Sequence, residues 1–266
     1  MLTNYHTHTT FCDGQNSPEE VVLYAIDNGF DAIGFSGHGY TPFSLEYCMK
    51  DTKGYIDEIS RLKEKYADKI QIYCGIEEDA FAPVDRSDFD YIIGSSHYFC
   101  IDCKYYEVDI SYDYFKECLN LFDNNPLKLA ENYYKSFCNY IAKRKPDIVG
   151  HFDLITKFDE VDEQIFLNNS KYLKIAQKYM YEAAKSNVIF EVNTGAIARG
   201  YRKSPYPNED LLYILKKQDA KIMLSSDSHN IKTLDFQFSE VKKMLRDIGF
   251  ECVYVLYDNT FKKCYI

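Results

Sequence analysis

Apolar residues in this chain follow two alternating patterns: short unbroken runs, and longer stretches in which they recur every third or fourth position. The first is the pattern of a strand buried on both faces, the second that of a helix with one buried stripe. Residues 2–6 open the chain as an extended segment. Ser17-Pro18-Glu19-Glu20 then supplies an N-cap, a proline at the first helical position and a glutamate placed to close a capping box. The helix predicted from there buries Val21, Val22, Ala25 and Ile26, reaches about residue 28 and stops at Gly29. The same alternation predicts strands over 31–36, 70–77, 89–94, 147–151, 188–193 and 221–225. Helices are predicted over 52–66, 170–185, 208–218 and 236–248. A short and a longer helical segment flank Asn124-Asn125-Pro126 between 113 and 145, and an apolar run at 251–256 follows the last helix.

Crossovers long enough for parallel pairing separate these strands, so the order fits either a closed barrel or an open doubly wound sheet. Histidine placement favours the barrel. His6, His8, His38, His97, His151 and His229 each lie at or just beyond the C-terminal end of a predicted strand, and only closure carries all of those ends to one face.

The spacing of these residues suggests metal chemistry. In His6-Thr7-His8, His151-Phe152-Asp153 and Asp227-Ser228-His229, two donors stand two residues apart, which in extended backbone turns both to the same side. Asp13, Glu77, Glu78, Asp153 and Asp227 are the carboxylates expected at the same level. Imidazole mixed with carboxylate suits zinc, manganese or iron, and this many donors exceeds what one ion needs, so two or three divalent ions are expected.

Composition narrows the setting. The 266 residues, 46% hydrophobic, show no linker-like stretch, and a single domain over 1–266 is expected, with a Tyr-, Phe- and Asp-rich insertion at about 100–132 as a lid or pocket wall. Nine scattered cysteines point to a reducing, cytoplasmic setting, and Cys100-Ile101-Asp102-Cys103 is read as incidental thiols. No apolar run is long enough for a membrane span. A net charge of -10 argues against nucleic acid as a partner, yet leaves room for a local cationic site that takes a small phosphate ester.

Taken in order, His6-Thr7-His8, Gly37-His38, Gly75-Ile76-Glu77, Ser96-His97, Gly150-His151-Phe152-Asp153 and Ser226-Asp227-Ser228-His229 resemble the polymerase and histidinol phosphatase family, and within it the free-standing histidinol-phosphate phosphatases. The resemblance implies a distorted (β/α)7 TIM-like barrel with a cluster of three ions at the C-terminal ends of its strands. It places His6, His8, Glu77 and Asp227 on the first ion, Glu77, His97 and His151 on the second, and Asp13, His38 and His229 on the third. It further implies a phosphomonoesterase of histidine biosynthesis that converts L-histidinol phosphate, a small phosphorylated amino alcohol, to L-histidinol and phosphate. Glu77 would stand beside the attacking water, while Arg199, in Asn193-Thr194-Gly195-Ala196-Ile197-Ala198-Arg199-Gly200, would pair phosphoryl oxygens, with Arg202 and Lys203 as substitutes. Lys157 and His97 are further candidates for the phosphate. Asp153 is a candidate ligand, a candidate support for the His151 ring, or a proton donor to the leaving group; Asp79, Asp153 and Asp159 are candidates to attract the amine. The competing readings are a phosphodiesterase or exonuclease of the same fold, disfavoured by the net charge and the Arg199 segment, and a noncatalytic metal-binding regulatory protein.

Overall fold

Ser17 caps the first helix as its sequence requires: its hydroxyl accepts from the Glu20 N–H, and the Glu20 carboxylate accepts from the Ser17 N–H at 2.8 Å. The structure, a computed structural model, describes residues 1–160 and 164–266. In chain order its elements are β1 (Thr3–Asn4), α1 (Pro18–Asp27), β2 (Ala32–Phe35), α2 (Thr52–Lys65), β3 (Gln71–Asp79), β4 (Tyr91–Ser95), β5 (Tyr98–Ile101), β6 (Lys104–Glu107), α3 (Tyr112–Leu119), α4 (Pro126–Arg144), β7 (Ile148–Val149), α5 (Ser170–Ala184), β8 (Ile189–Asn193), α6 (Gly195–Ala198), α7 (Glu209–Lys217), β9 (Lys221–Ser225), α8 (Phe238–Ile248), β10 (Cys252–Tyr257) and β11 (Thr260–Tyr265).

Seven of these strands pair in the order β1-β2-β3-β4-β7-β8-β9, parallel throughout, and form a nearly closed (β/α)7 barrel. At the seam the first and last of them meet beyond their strand ends. The His8 N–H donates to the Ser228 carbonyl at 2.8 Å, and the Ser228 N–H donates to the His6 carbonyl at 3.0 Å. The Asn4 side chain bridges the same gap, donating to Ser226 Oγ at 2.8 Å and accepting the Ser226 N–H at 3.2 Å. The apolar run after the last helix does not extend the barrel. Its residues form β10, which pairs antiparallel with β11 in a separate hairpin.

That hairpin stops the lower end of the barrel. Tyr5, Tyr73 and Tyr91 cluster there, with ring centroids 6.1 Å apart in both Tyr5 pairs, and the Tyr5 hydroxyl donates to the Leu256 carbonyl at 2.5 Å. The Tyr91 hydroxyl donates to the Tyr5 carbonyl at 2.6 Å. Gly34 and Gly75 make room for this ring: a Cβ on Gly75 would stand 2.2 Å from Tyr91 Cζ. Space at Gly75 therefore serves the tyrosine plug beneath the site.

Along β3 side chains alternate between the barrel interior and the surrounding helices. Glu77 points inward, while Glu78, fully buried, accepts from Tyr140 Oη at 2.7 Å and from Arg144 Nη2 at 2.7 Å on α4. Glu78 thus joins helix to barrel, and is not available at the level of the histidines. The region expected as an insertion is ordered structure. It comprises the β5–β6 hairpin, which turns at Asp102 and Cys103 with φ of 48° and 62°, then α3 and the start of α4. All nine cysteines are free thiols, Cys100 and Cys103 among them. No helix among the described residues is long and apolar enough to cross a membrane.

The substitution Gly75→Ala should cost about 1–3 kcal/mol by overpacking against Tyr91, read as a lower urea midpoint. Combined with Tyr91→Leu it should cost less than the sum of the two single changes, because the collision is then gone.

Candidate metal centre

The strand ends deliver the histidines to one place. Ring centroids are 5.2 Å apart for His6 and His8, 4.0 Å for His8 and His229, 5.1 Å for His38 and His97, and 5.0 Å for His97 and His151. Glu77, at 1% exposure, stands among them and divides its two oxygens. Oε1 lies 3.0 Å from His151 Nε2 and 3.5 Å from His97 Nε2. Oε2 lies 2.8 Å from His38 Nδ1, 3.4 Å from His6 Nε2 and 3.6 Å from His8 Nε2.

Two more carboxylates complete the cluster. Asp227 Oδ1 is 3.1 Å from His8 Nε2 and 3.7 Å from His6 Nε2, and Asp227 adopts φ 47°, a left-handed conformation that aspartate tolerates better than most residues. Asp13 reaches His8 Nδ1 at 3.4 Å, His229 Nε2 at 3.2 Å and His38 Nε2 at 3.7 Å. Three sets of donor atoms lie within 4.8 Å of one another: His6, His8 and Glu77; His38, Glu77 and His97; and His8, Asp13, His38 and His229.

The donors fit divalent cations on physical grounds. His6 Nε2, His8 Nε2 and Glu77 Oε2 are buried, converge on one another and make no well-aligned hydrogen bond, an arrangement that is costly unless a cation is their partner. Burial opposes charge on Glu77, but His6, His38 and His97 outweigh it and hold the carboxyl well below its ordinary range. Asp227 is held low in the same way, with Arg199 and His6 overcoming burial. Burial likewise works against a charged His6, yet Glu191, Glu77 and Asp227 raise it to about 10; burial also opposes charge on His97, which Glu77 and Asp79 raise to about 10. His38, where burial prevails, is pushed down to about 4. Cationic charge is thus favoured at the centre of this group.

A cavity of about 290 Å³ opens onto the cluster. Arg199 lies at its rim, with Nη2 2.8 Å from Asp227 Oδ2 and Nη1 donating to the Asp227 carbonyl at 2.9 Å. Lys157 also lines it, donating to the Asp109 carbonyl at 2.9 Å and to Asp109 Oδ2 at 3.1 Å. Asp153 is placed elsewhere. Fully buried, it accepts the Asn208 N–H at 3.1 Å and lies 3.6 Å from Arg202 Nη1, while His151 Nδ1 makes no hydrogen bond at all. Asp153 therefore supports neither the His151 ring nor the cavity wall, because Arg202 neutralises it behind the site. Arg202 itself is locked against Thr156, Ser204 and Glu160, and the Lys203 N–H donates to Glu160. Asp159 accepts the N–H groups of Phe166 and Leu167.

Asp79, a candidate for the amine in the sequence, is instead turned to a histidine and does not line the cavity, while Glu191, Glu107 and Asp109 gain importance only in the folded chain. Asp79 Oδ2 accepts the His97 N–H at 2.9 Å and lies 3.3 Å from its ring Nδ1. Glu191 contacts His6 Nδ1 at 2.5 Å, and its signal in the sequence was a lone charge inside the apolar strand Val188-Ile189-Phe190-Glu191-Val192. Glu107 and Asp109, from the end of the β5–β6 hairpin, line the cavity beside Lys157 and Tyr201. Nothing in their local sequence sets them apart.

The chain is similar to known proteins along most of its length. Over 274 residues the chain is 29% identical to a probable histidinol-phosphatase of Schizosaccharomyces pombe, covering 94% of this chain and 87% of that one. The histidinol-phosphatase of Bacillus subtilis is 25% identical over 259 residues, 88% of this chain and 95% of the relative. Among solved structures, the histidinol phosphate phosphatase of Lactococcus lactis, complexed with zinc, L-histidinol and phosphate, superposes with a TM-score of 0.72 at 20% identity, covering 98% of this chain and 99% of that one; the two share the fold. The PHP domain model matches residues 4–195, well over half the length, and the chain belongs to the PHP domain family.

Proposed function

We propose that this protein is a divalent-metal-dependent phosphomonoesterase that hydrolyses L-histidinol phosphate to L-histidinol and phosphate. The observation that carries the reading is the convergence of six imidazoles with Glu77, Asp227 and Asp13 in one cluster, onto which opens a cavity lined also by Arg199 and Lys157. The relatives named histidinol-phosphatase align along nearly the whole chain, which supports the substrate.

In this reading His6, His8, Glu77 and Asp227 hold a first ion, Glu77, His97 and His151 a second, and Asp13, His38 and His229 a third, with zinc, manganese and iron all compatible with the donors. When bound, such ions supply Lewis acidity toward water and toward phosphoryl oxygens. Glu77 contributes an oxygen to each side of the cluster and so fixes the spacing of the two donor sets. Arg199 presents a planar guanidinium at the cavity rim, suited to pairing two oxygens of a phosphoryl group as charge develops on them. His97 lies on the cavity wall at the same level.

Other residues of the cavity wall suit the rest of an amino alcohol. Glu107 and Asp109 bring carboxylates to the cavity, and burial, joined by repulsion from Asp109, raises Glu107 to about 7. An ammonium beside it would restore its full charge. Tyr201 and Tyr47 offer aromatic surface to an imidazole. The substrate would then lie with its phosphate at the histidines and its amine at Glu107.

Removing divalent ions with a chelator should abolish phosphate release from L-histidinol phosphate, and zinc, manganese or iron(II) should restore it. Full turnover by protein verified to be metal-free would overturn the reading, as would faster cleavage of a single-stranded oligonucleotide than of L-histidinol phosphate. Arg199→Ala should lower kcat by about 10²–10³-fold in a steady-state phosphate assay. Glu107→Gln should lower kcat/KM for L-histidinol phosphate by about 10–100-fold, the worth of one charge-assisted hydrogen bond, while p-nitrophenyl phosphate, which has no amine, is hydrolysed as by the unaltered protein.

A further inference from the structure

Glu191 is a buried carboxylate, 1% exposed, in the middle of β8, and the reaction outlined above leaves it without a role. Four donors converge on it from different strands. Oε1 contacts His6 Nδ1 at 2.5 Å and accepts from the Ser225 hydroxyl. Oε2 accepts the His151 backbone N–H at 2.8 Å and the Asn193 amide at 2.9 Å. His6 comes from the segment after β1, His151 from the end of β7, and Ser225 from the end of β9, two residues before Asp227. One carboxylate therefore touches residues of two donor sets and the strand that delivers Asp227.

The consequence for His6 is chemical. A proton fixed on Nδ1 by an anionic acceptor leaves Nε2 as the lone-pair nitrogen, and Nε2 is the atom that faces Glu77 and Asp227. An acceptor with full negative charge also makes the imidazole a stronger donor to a cation. The effect on His151 is positional, since the bond is to its main chain and sets where the residue leaves the strand. Among the described residues, no hydrogen bond or ion pair joins Glu191 to Asp13, His38 or His229.

We infer that Glu191 is a positioning residue that sets the affinity of the first and second ions together, through His6 on one side and His151 on the other, and leaves the third ion unaffected. This rests on the ligand assignment made for the proposed function. It differs from a purely structural role in being selective: general loosening of the barrel would weaken all three ions alike.

The test is metal retention rather than turnover. Holoprotein and its Glu191→Gln variant are dialysed against rising concentrations of a competing chelator, and bound metal is counted by elemental mass spectrometry. Two ions should leave the variant at about 10–100-fold weaker chelation than they leave the unaltered protein, and one ion should be retained with unchanged affinity. Equal weakening of all the ions, or retention identical to that of the unaltered protein, would overturn the inference. If the Gln variant fails to fold, Ser225→Ala removes one bond to Oε1, and the same selective loss should appear at smaller size; a uniform or absent loss there counts against it equally. Unaltered protein that takes up no divalent ion would overturn the ligand assignment itself, whereas a uniform loss would leave that assignment standing and remove only the part given to Glu191.

Discussion

One carboxylate organises this molecule. Glu77 is nearly without solvent contact and faces five imidazoles, two through one oxygen and three through the other. An ionised carboxylate so deeply buried is tolerable only with strong opposing charge close by. Neutral imidazoles supply little of that, and protonated ones would repel each other at ring separations of 4.0 to 5.2 Å. Divalent cations would resolve both problems, since each imidazole could then stay neutral and donate a lone pair while the carboxylate keeps its charge. The barrel above its tyrosine plug makes sense as a frame that keeps these donors too close together to be comfortable without a cation.

The frame itself rests on ordinary packing. Glycines at positions 34 and 75 admit the Tyr91 ring into the interior, and the C-terminal hairpin accepts the Tyr5 hydroxyl from below. On the outside, Glu78 ties β3 to α4 through Arg144 and Tyr140. Adjacent residues of one strand thus carry two unlike tasks, Glu77 toward the histidines and Glu78 toward the helix layer. A two-residue period separates them cleanly.

Much of this was legible in the sequence, for identifiable reasons. The capping box at Ser17 and the apolar strand runs are local signals, and the elements they predict agree with those observed to within a few residues. The six histidines could be read because strand ends in a parallel barrel share one face, so position along the chain maps onto position in space. Where the sequence reading diverged, the deciding partner was distant. Asp153 follows His151 by two residues, yet Arg202 draws it behind the site; Glu78 stands next to Glu77, yet belongs to the helices. Gly75 lies two residues before Glu77, but the space it leaves is filled by Tyr91. Glu107 and Asp109 reach the cavity only because the β5–β6 hairpin folds back over it, and no spacing rule signals that.

The seam between β1 and β9 bears on the order of assembly. His6 and His8 follow the opening strand, Asp227 and His229 follow the closing one, and the backbone bonds that Ser228 makes to His6 and His8 are what unite them. A nascent chain that has emerged only as far as β8 has His6, His8 and Glu77, three of the four residues proposed for the first ion, and lacks Asp227, the one that would complete them. An ion held by all four of those residues would therefore be captured by a nearly finished fold and would act as a latch on its seam, not as a seed around which it grows.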